Sequence, residues 1–243
     1  MKATIPQQWK SLSLRQLLEL KYLEPSDFDS RTDFFIQKVS IITGISDSEI
    51  DELTQDELFK FIAVTNFINT DPKNYPEKIS FYDLKNFKDL TLGEFIDIET
   101  YIARGLENAT TEILMTLYRR STINEWGMRI FEPLLAIDFE KRKAEFENFT
   151  AEIYGAVVAY MNFRNDFINR RKALFGIEED EDEEEELDED EKDDKEELIK
   201  KHSWKLFLYN LAKGDITKID AITDLNLFLV YGMVAMKYEL KLD

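Results

Sequence analysis

Residues Glu178–Glu197 read EEDEDEEEELDEDEKDDKEE, with seventeen carboxylates, two lysines and a single apolar side chain, Leu187. This stretch carries −15 of the chain's formal net charge of −19. Like charges at such density repel, and one leucine buries too little apolar surface to offset the entropy of ordering the segment. The run is expected to be a flexible acidic insertion, so the fold must be built from the residues on either side. Those residues carry −19 − (−15) = −4, an ordinary value for a folded domain. A solvated insertion is one reading of the run. The other is contact, in which Glu183, Glu184, Glu185, Glu186, Asp188, Glu189 and Asp190 bind a partner by holding a basic surface or by mimicking a nucleic-acid backbone.

Outside the run the composition favours helices. Hydrophobic residues make up 44% of the chain and aromatics 13%, with 18 Phe and 10 Tyr, which is ample for a core. Only 8 Gly and 5 Pro leave few tight turns. The expected fold class is all-α, a bundle of short amphipathic helices in two pseudo-repeated halves around the acidic insertion. The expected divisions are 1–80 and 81–177 as helical subdomains, 178–197 as the linker, and 198–243 as a C-terminal helical hairpin. There is no cysteine, which excludes disulfides, thiolate metal sites and a cysteine nucleophile. Met1–Trp9 lacks an apolar signal-peptide core. The longest near-apolar run, Leu225–Met236, is shorter than the roughly 20 residues a bilayer-spanning helix needs. A soluble, intracellular protein is expected.

The centre of the pattern is Asp89–Arg120. Thr91 and Glu94 have the spacing of a capping box, in which a hydroxyl and a carboxylate satisfy the first backbone N–H groups of a helix. Leu92, Phe95, Ile96 and Ile102 then fall on one side of a 3.6-residue spiral. Beyond Gly105, a second helix is expected from Thr110 or Thr111, with Ile113, Leu114, Leu117 and Tyr118 on one face. Glu99 sits in the middle of the first apolar stripe. Either the helix ends there and the carboxylate reaches water, or Glu99 is half-buried and paired with an arginine such as Arg119 or Arg120, because an unpaired buried carboxylate is costly.

This stretch has an echo. WKSLSLRQLLEL (Trp9–Leu20) matches FKDLTLGEFIDI (Phe87–Ile98) at an offset of 78 residues, with Ser13 and Gln16 in the places of Thr91 and Glu94. At that offset Lys21 stands where Glu99 does. An internal duplication predicts equivalent structural roles for the two capped helices.

The rest of the chain reads as further short helices. Ser30–Thr43 turns Phe34, Phe35, Val39 and Ile42 inward and closes at Gly44. Ser46–Glu49 starts a short turn of helix. Thr54–Glu57 is a third capping box, opening a face of Leu58, Phe61, Ile62, Thr65 and Ile68. Lys78–Leu84 is a short extended piece. Ile123–Arg129 and Phe131–Leu135 fit neither helix nor strand clearly. Ala144–Phe175, at least from Ala151, is the longest helical stretch, and its basic end (Arg164, Arg170, Arg171, Lys172) complements the helix dipole and the acidic run that follows. After His202-Ser203-Trp204 comes a helix to Leu211, a break at Gly214-Asp215 and a last helix from Asp224 to Leu240.

No catalytic signature is present. The single histidine, His202, has no GxSxG or cysteine to frame it. The glycines are scattered and form no phosphate-cradling loop. The acidic run lacks the alternating oxygen ligands and central glycine of a calcium loop. Neither an enzyme, a cofactor nor a specific metal site is expected, and nucleic-acid binding is not favoured.

The ordered phrases Ile5-Pro6-x-x-Trp9-Lys10-x-Leu12, Ile41-Ile42-Thr43-Gly44-Ile45-Ser46 and Leu90-Thr91-Leu92-Gly93-Glu94-Phe95-Ile96-Asp97 resemble a group of tailed-bacteriophage proteins. These are structural-module proteins of podovirus-like and crAss-like gut phages, and Leu211–Ala221 (LAKGDITKIDA) is similar to phage chains as well. The resemblance implies a virion component or tail-assembly chaperone. Its partners would be portal, neck or tail proteins, with a homo-oligomer also open, and its place the host cytoplasm during assembly and then the virion. The phrases carry helix caps and no catalytic residues.

Overall fold

The structure, a computed structural model, describes residues 6–54, 56, 57, 60, 61, 66–170 and 204–240. Its helices are α1 (Leu14–Lys21), α2 (Arg31–Thr43), α3 (Asp47–Asp51), α4 (Leu92–Ala103), α5 (Leu106–Leu117), α6 (Phe139–Glu147), α7 (Tyr154–Asn169), α8 (204–211), α9 (Ile219–Thr223) and α10 (Leu227–Glu239). Strands β1 (Lys78–Ile79), β2 (Tyr82–Leu84) and β3 (Tyr118–Arg119) form one antiparallel sheet in that order. Strands β4 (Ser121–Ile123) and β5 (Arg129–Phe131) form a separate antiparallel ribbon. The chain is mostly helical, but the two small sheets correct the all-α expectation. Segments of two or three residues are too short for an alternating pattern to stand out in sequence.

The chain divides into two compact units, Met1–Lys85 with Tyr101–Asn162, and Asn86–Thr100 with Phe163–Asp243. Each unit is assembled from two separate stretches, whereas the sequence divisions at 80/81 and 177/178 run consecutively. The contacts that define a unit are made between distant stretches, and sequence order alone does not report them.

In the first unit, Leu14, Leu17 and Leu20 form the buried face of α1, and Ile113, Leu114 and Leu117 that of α5. Ile153, in the 3₁₀ turn just before α7, and Ala156, Val157 and Tyr160 along its start are buried. Each fully buried Leu or Ile contributes roughly 1.5–3 kcal/mol. Val39, Ile50 and Phe61 make a second cluster, with Phe35, Ile36, Ile45 and Leu53 packed against it. Gly44 caps α2 at φ 71°, the left-handed conformation expected of it. The helical stretch expected over 144–175 is interrupted at Asn148–Thr150, between α6 and α7, and resumes at Ala151, the later of its two expected starts.

The second unit is held by aromatics. Phe167 has ring partners Phe95, Phe163, Phe228 and Tyr231 at centroid separations of 5.6, 6.0, 5.3 and 5.1 Å. Trp204 and Phe207 of α8 extend the group to Phe95 and Tyr231. Edge-to-face and offset pairs at these distances add to plain area burial. Glu99 is buried here, and its partner is Arg164 of α7, not Arg119 or Arg120. Arg164 lies well inside α7, so it serves this pair and not the helix's last turn.

Both units contain the same small device, which gives the sequence echo a structural counterpart. In the first, a 3₁₀ turn at Trp9–Ser11 leads into an isolated antiparallel bridge between Ser13 and Thr150. Leu14 N–H donates to the Phe149 carbonyl at 2.7 Å, and Ala151 N–H to the Leu12 carbonyl at 2.8 Å. In the second, a 3₁₀ turn at Phe87–Asp89 leads into a bridge between Thr91 and Asn226. Leu92 N–H donates to the Leu225 carbonyl at 2.8 Å, and Leu227 N–H to the Leu90 carbonyl at 2.9 Å. Capping boxes follow in both, Ser13 with Gln16 and Thr91 with Glu94. Beyond the capped helices the units diverge: α1 continues to a turn and α2, while α4 continues through Gly105 into α5. The second helix of the central pair starts at Leu106, earlier than Thr110, because Gly105 turns the chain at φ 91°.

Candidate functional site

The feature of the first unit that simple folding does not account for is the β4–β5 ribbon and the charged base beneath it. The ribbon forms because Thr122, Ile123, Ile130 and Phe131, which favour extended backbone, flank a turn built by Asn124 and Gly127. The Asn124 carboxamide oxygen accepts from the N–H groups of Trp126 (3.0 Å) and Met128 (2.8 Å), and Gly127 takes φ 75°. This turn places Trp126 at the tip with 75% of its surface exposed. Ile123, Met128 and Ile130 are also exposed, at 62, 56 and 52%.

The base is the opposite, buried and ionic. Phe131 is half-buried, with the Arg119 guanidinium and the Lys85 ammonium each 5.5 Å from its ring centroid. Arg119 is 2% exposed and Lys85 8%. Arg119 donates to the Glu132 carbonyl at 2.8 Å. The Glu132 carboxylate accepts from Arg142 at 2.5 Å and from the Arg120 N–H at 3.1 Å. Burial alone would push the Glu132 carboxyl up, but the Arg142 bond with the Arg120 backbone and charge outweighs it, and the carboxyl is held below its usual range. Arg142 also lies over the buried Tyr82 ring at 4.9 Å, and the Tyr82 hydroxyl donates to Glu145 at 2.7 Å.

On the other flank, Asp83 accepts from the Ser121 hydroxyl at 2.8 Å and stands 3.7 Å from both Lys78 and Arg129. One carboxylate thus ties β1, β2, β4 and β5 together. Lys78, Lys85, Arg119, Arg120, Arg129 and Arg142 gather here against Asp83, Glu132 and Glu145, a local surplus of cations in an acidic chain. A two-stranded ribbon is marginal in water by itself. Charge-assisted bonds at its base supply the anchorage its exposed tip cannot. These contacts mount the ribbon on the rest of the first unit.

The predicted partner-binding residues Glu183, Glu184, Glu185, Glu186, Asp188, Glu189 and Asp190 lie outside the described residues, as do the rest of the acidic run and His202. Sequence reading missed the ribbon, leaving both of its flanks ambiguous. The signal was an Asn and a Gly three apart between short β-branched and aromatic stretches. Among the described residues, no three His, Asp or Glu side chains are grouped to hold a metal, and no helix is long and apolar enough to cross a membrane. Comparison of the chain with protein-family models, curated proteins and solved structures finds no match.

Proposed function

We propose that this chain is a non-enzymatic protein that works by protein–protein contact, with the β4–β5 ribbon as its presented element. The setting implied by the sequence resemblance is a tailed-phage virion or virion-assembly protein that engages portal, neck or tail proteins. The observation that supports contact is the exposure of Ile123, Trp126, Met128 and Ile130 within eight residues of one ribbon. Scattered apolar residues on a surface are ordinary, whereas a group carried on a firmly anchored projection marks an interaction site. Tryptophan gives large contact area at low entropic cost, and such residues dominate binding energetics.

The test is cross-linking mass spectrometry on infected cells and on purified particles, with the wild-type chain and with Trp126→Ser/Met128→Ser. Cross-links from residues 121–131 to portal, neck or tail proteins, lost in the variant while its circular dichroism is retained, are the expected result. Cross-links made only by Glu178–Glu197 to a basic nucleic-acid-binding protein would transfer the function to the acidic run acting as a nucleic-acid mimic.

A further inference from the structure

A small cavity opens in the first unit where α1, α2 and the 3₁₀ turn at Asn66–Asn69 come together. Its volume is about 50 Å³, and Trp9, Leu17, Leu20 and Ile68 give it apolar walls. The walls are set before any ligand arrives. Leu17 and Leu20 are 2 and 8% exposed, and Trp9 stands edge-to-face on Phe67 at a centroid separation of 5.0 Å. The Gln16 amide fastens α1 to α2 through the Ile41 carbonyl at 2.7 Å.

The polar part of the lining is Lys21, Lys38, Asn69 and Asp71, two cations against one carboxylate. Lys21 is committed to Asp71, its ammonium donating to Oδ1 at 2.7 Å. Lys38 is half-buried, and among the described residues no carboxylate lies within 4.0 Å of its ammonium. It rests over the Phe34 ring at 4.4 Å, a partner that leaves its charge uncancelled. Asn69 spends one carboxamide N–H on Asn66 Oδ1 at 2.9 Å and keeps another to donate.

We propose that this cavity binds the carboxylate of a short aliphatic acid, of acetate to propionate size, free or at the end of a larger molecule. A space of about 50 Å³ holds roughly four water-sized groups, the bulk of a carboxylate with one or two carbons behind it. Lys38 swings from Phe34 on its flexible stem to meet the carboxylate, and Asn69 donates the second hydrogen bond. The carbon end lies against Trp9, Leu17 and Leu20, where it leaves water. An amine would face two ammonium groups, with Asp71 already engaged. Inorganic phosphate would press a strongly hydrated ion against apolar walls that it cannot use. The site lies wholly within the first unit, and the proposal does not depend on the role of the ribbon.

Saturation-transfer NMR on the full chain, with propionate as the probe, tests it. Propionate should bind saturably, while propionamide, which keeps the shape without the charge, and inorganic phosphate should not displace it. Lys38→Met keeps the stem's bulk and should weaken propionate roughly tenfold or more, the worth of a charge-assisted hydrogen bond, with circular dichroism unchanged. Lys38→Glu, which reverses the charge, should abolish binding. N-acetylalanine identifies the source: affinity equal to that of propionate supports a chain end as the ligand, and weaker affinity supports the free acid. No saturable binding of propionate, displacement by propionamide or phosphate, or binding that persists unchanged in Lys38→Met and Lys38→Glu would overturn the proposal.

Discussion

Arg164 grips Glu99 from two sides of its guanidinium, Nε donating to Oε1 and Nη2 to Oε2, each at 2.6 Å. Glu99 is 8% exposed and sits within an otherwise apolar stripe of α4. Desolvating a carboxylate there is tolerable only with a bidentate partner.

Removing one member should therefore cost more than removing both. Arg164→Ala leaves Glu99 buried and uncompensated, and is expected to cost about 2 kcal/mol. That is below the roughly 3–5 kcal/mol of a fully buried pair, because water reaches the Arg164 side. Glu99→Met/Arg164→Met should lie within about 1 kcal/mol of wild type, since apolar replacement of a buried pair is often neutral. Urea unfolding of the three proteins checks the order. Equal losses in single and double variants would mean the pair is only a surface contact.

The two capping boxes look alike but differ in one bond. Gln16, the N3 residue of α1, also donates from its amide to the Ile41 carbonyl at 2.7 Å, tying α1 to α2. Gln16→Glu keeps the box acceptor but sets a carboxylate against that carbonyl. It should cost about 1–2 kcal/mol, as an unsatisfied acceptor pair does. Glu94→Gln, which retains an oxygen for the Thr91 N–H, should cost less. Thr91→Ala is expected to cost about 1 kcal/mol through the lost cap. Thermal melts rank the three.

Gly155 and Gly232 are both helical glycines with opposite surroundings. A Cβ at Gly155 would stand 2.8 Å from the Asn74 carbonyl oxygen and 3.1 Å from that of Pro72. Backbone cannot yield as a side chain tip can, so Gly155→Ala should destabilise by about 1–3 kcal/mol. Gly232→Ala, with nothing within 4 Å, should raise stability by about 0.5–1 kcal/mol. Urea unfolding separates the two.

The capping grammar was legible in the sequence because it is local: hydroxyl, two residues, then Glu or Gln marks a helix start wherever it occurs. Hence α1, α3 and α4 begin where Ser13, Ser46 and Thr91 say. The repeated capped helix was legible for the same reason. Its bridge partners Thr150 and Asn226 were not, since they lie 137 and 135 residues further on (150 − 13 and 226 − 91) and carry no local mark. Periodicity placed Glu99 in the apolar stripe but named the wrong arginines, because Arg164 reaches it through tertiary packing. The same periodicity chose Ile96, whereas the structure buries Ile98. The candidate site went unread because its strands are three residues long and its anchoring charges come from four separate places in the chain.

Alkaline pH should weaken the first unit through its buried tyrosines and Lys21. Tyr154 is 4% exposed, and its hydroxyl is pushed up to about 12, chiefly by burial, with Lys21 opposing the shift. Lys21 lies 5.0 Å from the Tyr154 ring centroid and 2.7 Å from Asp71. For Lys21, burial favours the neutral form, but the bonds and charges of Asp71 and Tyr154 outweigh it and the pKa is raised. Both shifts act in the same direction. An unfolded tyrosine releases its proton from about pH 10, while the folded one keeps it toward 12, so the unfolded state binds fewer protons and stability falls with rising pH. The raised Lys21 adds stability that is complete below its unfolded value of 10.5 and is lost as pH climbs through the folded value. Tyr118, whose hydroxyl burial also pushes up, adds to the slope. Stability measured by urea at a series of pH values from neutral upward should therefore hold to pH 10 and decline across 10–12. Tyr154→Phe should lessen the decline without abolishing it, leaving the part due to Lys21 and to Tyr22, Tyr82 and Tyr118, whose hydroxyls burial also pushes up. A Tyr154→Phe profile parallel to wild type over that window would show that the Tyr154 hydroxyl is as free to ionise in the folded chain as in the unfolded one.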